Sequence, residues 1–181
     1  MLRVFLTFLI YQFRKDKDYY YKLIRILGFL PGKMSLYRIA FTHRSVSFKL
    51  DDGLFVNNER LEYLGDALLG AVASEFIYQS HYNTDEGYMT KLRARLVKRR
   101  HLNLVAIKMG IPALLSSHPH AVKSSKYLYG NALEALIGAI YLDKGYRKTV
   151  KFFEKRMVRK HIDLINLEKK DSDYKSQLIE W

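Results

Sequence analysis

The chain has 181 residues, with 31 Lys and Arg against 18 Asp and Glu and a formal net charge of +13. Apolar types make up 49% and cysteine is absent, so a folded core is expected, while disulfides, thiolate zinc sites and a cysteine nucleophile are excluded. So basic a chain points to a polyanionic partner, nucleic acid ahead of an anionic membrane; the bland alternative is a protein kept soluble by its charge.

Val4 to Ile10 is apolar but short, lacks a small-residue cleavage site and runs straight into Arg14-Lys15-Asp16-Lys17. An amphipathic helix packed on the domain is expected for residues 1–18, rather than a signal peptide or an anchor. No stretch approaches the ~20 apolar residues of a membrane span, and a cytoplasmic, reducing location suits the lack of cysteine. Tyr19 to Leu30 reads as a helix stopped by Pro31-Gly32. Ser35 to Phe48 reads as another, with Ile39, Ala40 and Phe41 inward, and it carries Thr42-His43-Arg44-Ser45. A lone histidine such as His43 is more often a hydrogen-bonded structural residue than a catalyst. Asp51-Asp52-Gly53 marks a loop.

Asn57 to Ile77, NNERLEYLGDALLGAVASEFI, organises the rest. As a helix capped by Asn57 or Asn58, it stacks Glu59, Glu62 and Asp66 on one face and Leu61, Leu64, Leu68 and Val72 on the other. The acidic face continues into Gly70, Ala73 and Ile77, so the helix becomes apolar nearly all round. Such a helix is buried, and its carboxylates occupy one end of a central element.

Thr84-Asp85-Glu86-Gly87 starts a further helix, with its acids at the favourable end of the dipole. From Tyr88 to Met109 one helix is predicted, with Met89, Leu92, Leu96 and Leu104 on the core side. Lys91, Arg93, Arg95, Lys98, Arg99 and Arg100 put six cations in ten residues with no acid between them, which suits a surface that tracks phosphates better than a merely solvated face. Pro112 to Lys126 reads as a polar loop, and its His118 and His120, without a third ligand, as incidental.

Tyr127 to Gly145 is a second buried helix with Gly145 as its C-cap; between Ala132 and Leu142 its only charged residue is Glu134. A buried carboxylate needs compensation, which other carboxylates cannot give and a divalent cation can. Oxygen donors without cysteine favour Mg²⁺, with Mn²⁺ as a substitute, over zinc. Lys148 to His161 follows as a basic amphipathic helix with Val150, Phe153 and Met157 inward. Residues 166–173 read as a charged linker, and Tyr174 to Trp181 begins a new apolar pattern. With no strand alternation, no Gly-rich phosphate loop, no HExxH and no Ser-His pair, the chain is read as all-α, one domain over 19–165, with no small-molecule cofactor.

Two stretches together resemble the ribonuclease III family: Asn57 to Gly70, NNERLEYLGDALLG, and Gly130 to Asp143, GNALEALIGAIYLD. Thr42-His43-Arg44-Ser45 and Asp85-Glu86-Gly87 also lie where that family has them, and the similarity covers roughly residues 20 to 162. Residues 174–181 are similar to the opening of the double-stranded-RNA-binding domain that follows in many members. The resemblance implies an all-helical endonuclease domain that dimerises through the first of these helices and cuts double-stranded RNA with Mg²⁺, leaving 5′-phosphate and 3′-hydroxyl ends. It implies Glu62, Asp66 and Glu134 as metal ligands, Asp66 and Glu134 being catalytic, Glu59 as an auxiliary acid, and Glu86 at a less decisive acidic position. Where the family has an acid three residues before the second-helix glutamate, this chain has Asn131, whose amide oxygen can coordinate without adding charge. Two readings therefore stand: an active endoribonuclease processing RNA precursors, or a weakened relative that binds RNA as a scaffold.

Overall fold

The computed structural model describes residues 17–49 and 55–164. The expected N-terminal extension lies almost wholly outside them, as do the Asp51-Asp52-Gly53 loop, the linker and the stretch from Tyr174.

Helix α1 covers 17–27 and ends at Gly28, whose φ of +73° takes the left-handed turn that closes a helix. The stop therefore comes before Pro31-Gly32. The Arg156 guanidinium finishes this end, donating to the carbonyls of Ile26 (3.0 Å) and Arg25. Helix α2 is only Met34–Ala40. The predicted continuation to Phe48 does not form, because polar groups claim that backbone for other partners. Ser116 N donates to Phe41 O at 2.8 Å, Asn58 N donates to Thr42 O at 2.8 Å, and the His43 ring takes the Ser45 N–H. The segment becomes an extended crossing at Thr42, a 3₁₀ turn Arg44–Val46 and a strand β1, Phe48–Lys49, antiparallel to β2, Phe55–Val56. Among the described residues this small pair of strands is the exception in an all-α fold.

The 22-residue α3, Glu59–Ser80, starts on Asn57, whose side-chain oxygen accepts from Glu59 N at 3.0 Å. Its core stripe is Leu61, Gly65, Leu69, Val72, Ala73 and Ile77, so Leu64 and Leu68 are only half-buried, contrary to the predicted stripe. The cause is Gly65, which must face the neighbouring helix and so rotates the apolar face away from those leucines.

The predicted single helix over 88–109 is two: α4, Glu86–Leu96, and α5, Arg99–Met109, with Asp85 capping α4 through Tyr88 N at 2.7 Å. Lys98 has an extended ψ of 126°. The break is what the apolar spacing needs. Leu96 and Leu102, six residues apart, would lie about 120° apart on one continuous helix, yet both are buried here, while Leu104 faces solvent. The stretch predicted as a loop holds a 3₁₀ turn, Ile111–Ala113, burying Ile111, and a short α6, Pro119–Ser124.

Helix α7, Leu128–Lys144, is the axis: every residue from Ala132 to Ile140 is buried. The helices α2, α3 and α5 surround it. At its far end Asp143 accepts from Gly32 N, Lys33 N and Tyr37 Oη at 2.8–2.9 Å, tying the loop after α1 to α7. Gly145, with φ +77°, then turns the chain into α8, Tyr146–Phe152, a π-helical stretch Phe153–Val158 and a final turn α9, Arg159–His161. Phe153 and Met157 point inward as predicted.

Candidate active site

Helices α3 and α7 touch backbone to backbone, and this contact makes the site. A Cβ on Gly65 would stand 1.7 Å from Glu134 O, and one on Gly138 would stand 2.5 Å from Leu61 O. With no side chain between them, the first two turns of α3, from Glu59 to Asp66, face the start of α7. Glu59, Glu62, Asp66, Asn131 and Glu134 thus line one open cleft of about 950 Å³. Its rim adds Arg99 from the start of α5, Lys126 before α7, and His43, Arg44 and His118 from the two crossing segments.

The start of α7 is held by a residue that pattern reasoning passed over. Asn103 on α5 accepts through Oδ1 from Tyr129 N and Gly130 N, both at 3.1 Å, replacing the cap that Tyr127 cannot supply. A polar side chain on the inner face of a basic amphipathic helix was the available signal.

Electrostatics follow from burial. Glu134 is 7% exposed, and that burial, with the charges of Asp66 and Glu62, pushes its carboxyl up to about 7, against the opposing pull of Arg99. Glu62 is raised too, first by burial and then by Glu59, while Arg99 and a hydrogen bond from the Asn131 side chain pull the other way. An amide donates only through its NH₂, so that hydrogen bond turns the Asn131 nitrogen towards Glu62. Glu59, at the mouth, lies 3.5 Å from the Arg44 guanidinium. Asn58, 2% exposed beside the cleft, keeps its Nδ2 without a partner among the described residues.

Among the described residues, no group of three His, Asp or Glu side chains is drawn close enough to hold a metal as it stands. The donor chemistry nevertheless fits a hard divalent cation. All the donors are oxygens, and a carboxyl forced towards neutrality by burial and by its acidic neighbours is relieved by positive charge.

The predicted cationic residues divide. Arg99 lies in the cleft. Arg93 donates to Ser74 Oγ at 3.3 Å, back against α3, and Arg95 is half-buried. Lys91, Lys98 and Arg100 are exposed. Glu86 sits at the start of α4, hydrogen-bonded by Thr90 at 2.9 Å and away from the cleft. His118 caps α6, its Nδ1 accepting from His120 N at 3.3 Å.

A family model described as ribonuclease-III-like matches residues 33–161. The chain belongs to the ribonuclease III family. Ribonuclease 3 of Bacteroides fragilis is 43% identical over 169 residues, covering 93% of this chain and 58% of that protein. Ribonuclease 3 of Zunongwangia profunda is 41% identical over 167 residues, covering 92% and 69%. The chain thus spans about 58% of the length of the first of these ribonuclease 3 relatives. In three dimensions it is similar to the nuclease domain of ribonuclease III from Campylobacter jejuni, with a TM-score of 0.66 and 30% identity over 75% of this chain and 94% of that one. That structure is described by flexibility in a region involved in dimer formation. A Dicer from Pichia stipitis is more distant, with a TM-score of 0.54, 26% identity and 70% and 54% coverage. Within this fold Asn131 stands in the cleft with Glu62 and Glu134.

Proposed function

We propose that this chain is the catalytic domain of a Mg²⁺-dependent endoribonuclease that works as a homodimer on double-stranded RNA, leaving 5′-phosphate and 3′-hydroxyl ends. The observation that carries this is the cleft itself, where acids from two helices meet at a glycine contact beside Arg44, Arg99 and Lys126. Glu62, Asp66, Glu134 and the carbonyl oxygen of Asn131 would hold the ion. Bound there, Mg²⁺ or Mn²⁺ supplies an activated water and offsets charge on the leaving oxygen.

The protein's own groups do the rest. Arg99 and Lys126 hold phosphates over the carboxylates, and the exposed Lys91, Lys98 and Arg100 extend that positive surface along α4 and α5. Because duplex RNA is read through its backbone and minor groove, shape governs the choice of substrate more than sequence does. Support for self-association comes from α3, whose Tyr63 (84%) and Tyr78 (72%) are exposed together with Ala67 and Ala71. Processing of ribosomal and messenger RNA precursors in the cytoplasm is the proposed role. Among the described residues no helix is long and apolar enough to cross a membrane.

Asn131 favours a second reading, an RNA-binding scaffold without activity. Incubation of the protein with long duplex RNA and Mg²⁺ or Mn²⁺ decides between them. Shortened products with 5′-phosphates support the nuclease, and RNA that is retarded but intact at saturating Mn²⁺ overturns it in favour of the scaffold.

A further inference from the structure

The crossing segment Thr42-His43-Arg44-Ser45 forms one wall of the cleft. Its backbone is fastened on two sides: Thr42 O accepts from Asn58 N at 2.8 Å, and His43 N donates to Ser116 O at 2.9 Å. On that frame Ser45 N donates to His43 Nδ1 at 3.1 Å. Ser45 Oγ lies 2.8 Å from the same nitrogen and accepts from His118 N at 3.0 Å. A backbone N–H can only donate, so Nδ1 is the bare nitrogen, and the hydroxyl, already accepting from His118, turns its own proton towards it. The ring proton is thereby placed on Nε2. Burial and the neighbouring Arg44, opposed by Glu59, hold the imidazole below its ordinary pKa, which favours its neutral form. Nε2 has no partner among the described residues, and His43 is one of the residues that line the cleft.

We propose that His43 is a substrate-contacting residue whose Nε2–H donates to a phosphate oxygen of the RNA strand lying in the cleft. The inference rests on the reading of the cleft as an RNA site. A neutral donor adds a hydrogen bond without releasing a counterion, so its loss weakens binding while the salt dependence keeps its slope. Loss of Arg99 or Lys126 would flatten that slope.

Two substitutions separate this role from a merely structural one. His43→Asn keeps an acceptor near the position of Nδ1 for Ser45 and loses the outward donor. His43→Gln places its amide near the position of Nε2 and gives up the inward acceptor. Affinity for a short RNA duplex is measured without divalent metal over a series of salt concentrations. Binding within about twofold of the parent for His43→Gln, and about fivefold weaker for His43→Asn, both at the parental salt slope, is expected for one hydrogen bond. The reverse order, or equal affinities, makes His43 a turn residue only and overturns the proposal. Nitrogen-15 NMR of the unmodified protein gives a check that needs no variant: the Nε2–H tautomer is expected, and the Nδ1–H tautomer overturns it. If the expected order of affinities appears in a protein that cleaves nothing, the nuclease reading fails and the His43 contact stands.

Discussion

Glu134 is the residue whose titration has the largest consequence. In the unfolded chain its carboxyl ionises near 4.5, and in the fold near 7. Between those values the fold keeps a proton that the unfolded chain has released, so stability falls as pH rises through the window and the full cost is present above it. The ceiling on that cost is on the order of 3 kcal/mol. Glu134→Gln should therefore melt roughly 5 °C higher than the parent at pH 8 without metal, and the gap should close towards pH 5. Parallel melting curves across that range would sink the argument. Asn131 belongs to the same scale. Asn131→Asp adds a fourth acid beside Glu62, Asp66 and Glu134, which should destabilise the metal-free protein and lower the Mg²⁺ concentration needed for half-maximal cleavage several-fold. An unchanged Mg²⁺ dependence would remove Asn131 from the ligand set.

At the scale of the element, the contact of α3 with α7 sets the site more than any ligand does. Gly65→Ala would drive a methyl group into Glu134 O, and since both partners are helix backbone, the two helices must separate. A loss of about 3 kcal/mol is expected, at the high end for overpacking, and cleavage should fall even at saturating Mn²⁺, because Glu62 and Asp66 move with α3. Chemical denaturation and a Mn²⁺ titration measure the two effects. Gly70→Ala is the control, since nothing lies within 4 Å of the added carbon.

At the scale of the whole molecule, α3 has two faces with different tasks. Its Gly65 face is spent on α7. The opposite face, with Tyr63, Ala67, Ala71 and Tyr78 open to solvent, is what an isologous partner would cover. Sedimentation at micromolar concentration should show a dimer, and Ala71→Arg should convert it to a monomer whose thermal stability is nearly that of an isolated domain. A parent protein that sediments as a monomer would refute this assignment of the face.

Residue pattern alone was enough to identify the buried helices and the acids they carry. Nine consecutive residues of α7 with one charge among them could only be interior, and Glu59, Glu62 and Asp66 could only share a face at their spacing. Asp85 and Gly145 marked helix ends correctly because capping is local chemistry. What lay beyond it was decided by partners distant in the chain. The rotation of α3, which exposes part of Leu64 and Leu68, follows from Gly65 meeting Glu134, a contact across nearly seventy positions. The break before α5 follows from two leucines needing one core. The helix that stops at Ala40 does so because Ser116 and Asn58 take its backbone groups. His43 and His118 read as ordinary until Ser45 joined them, because a tautomer is set by hydrogen-bond partners and only the tertiary structure supplies those.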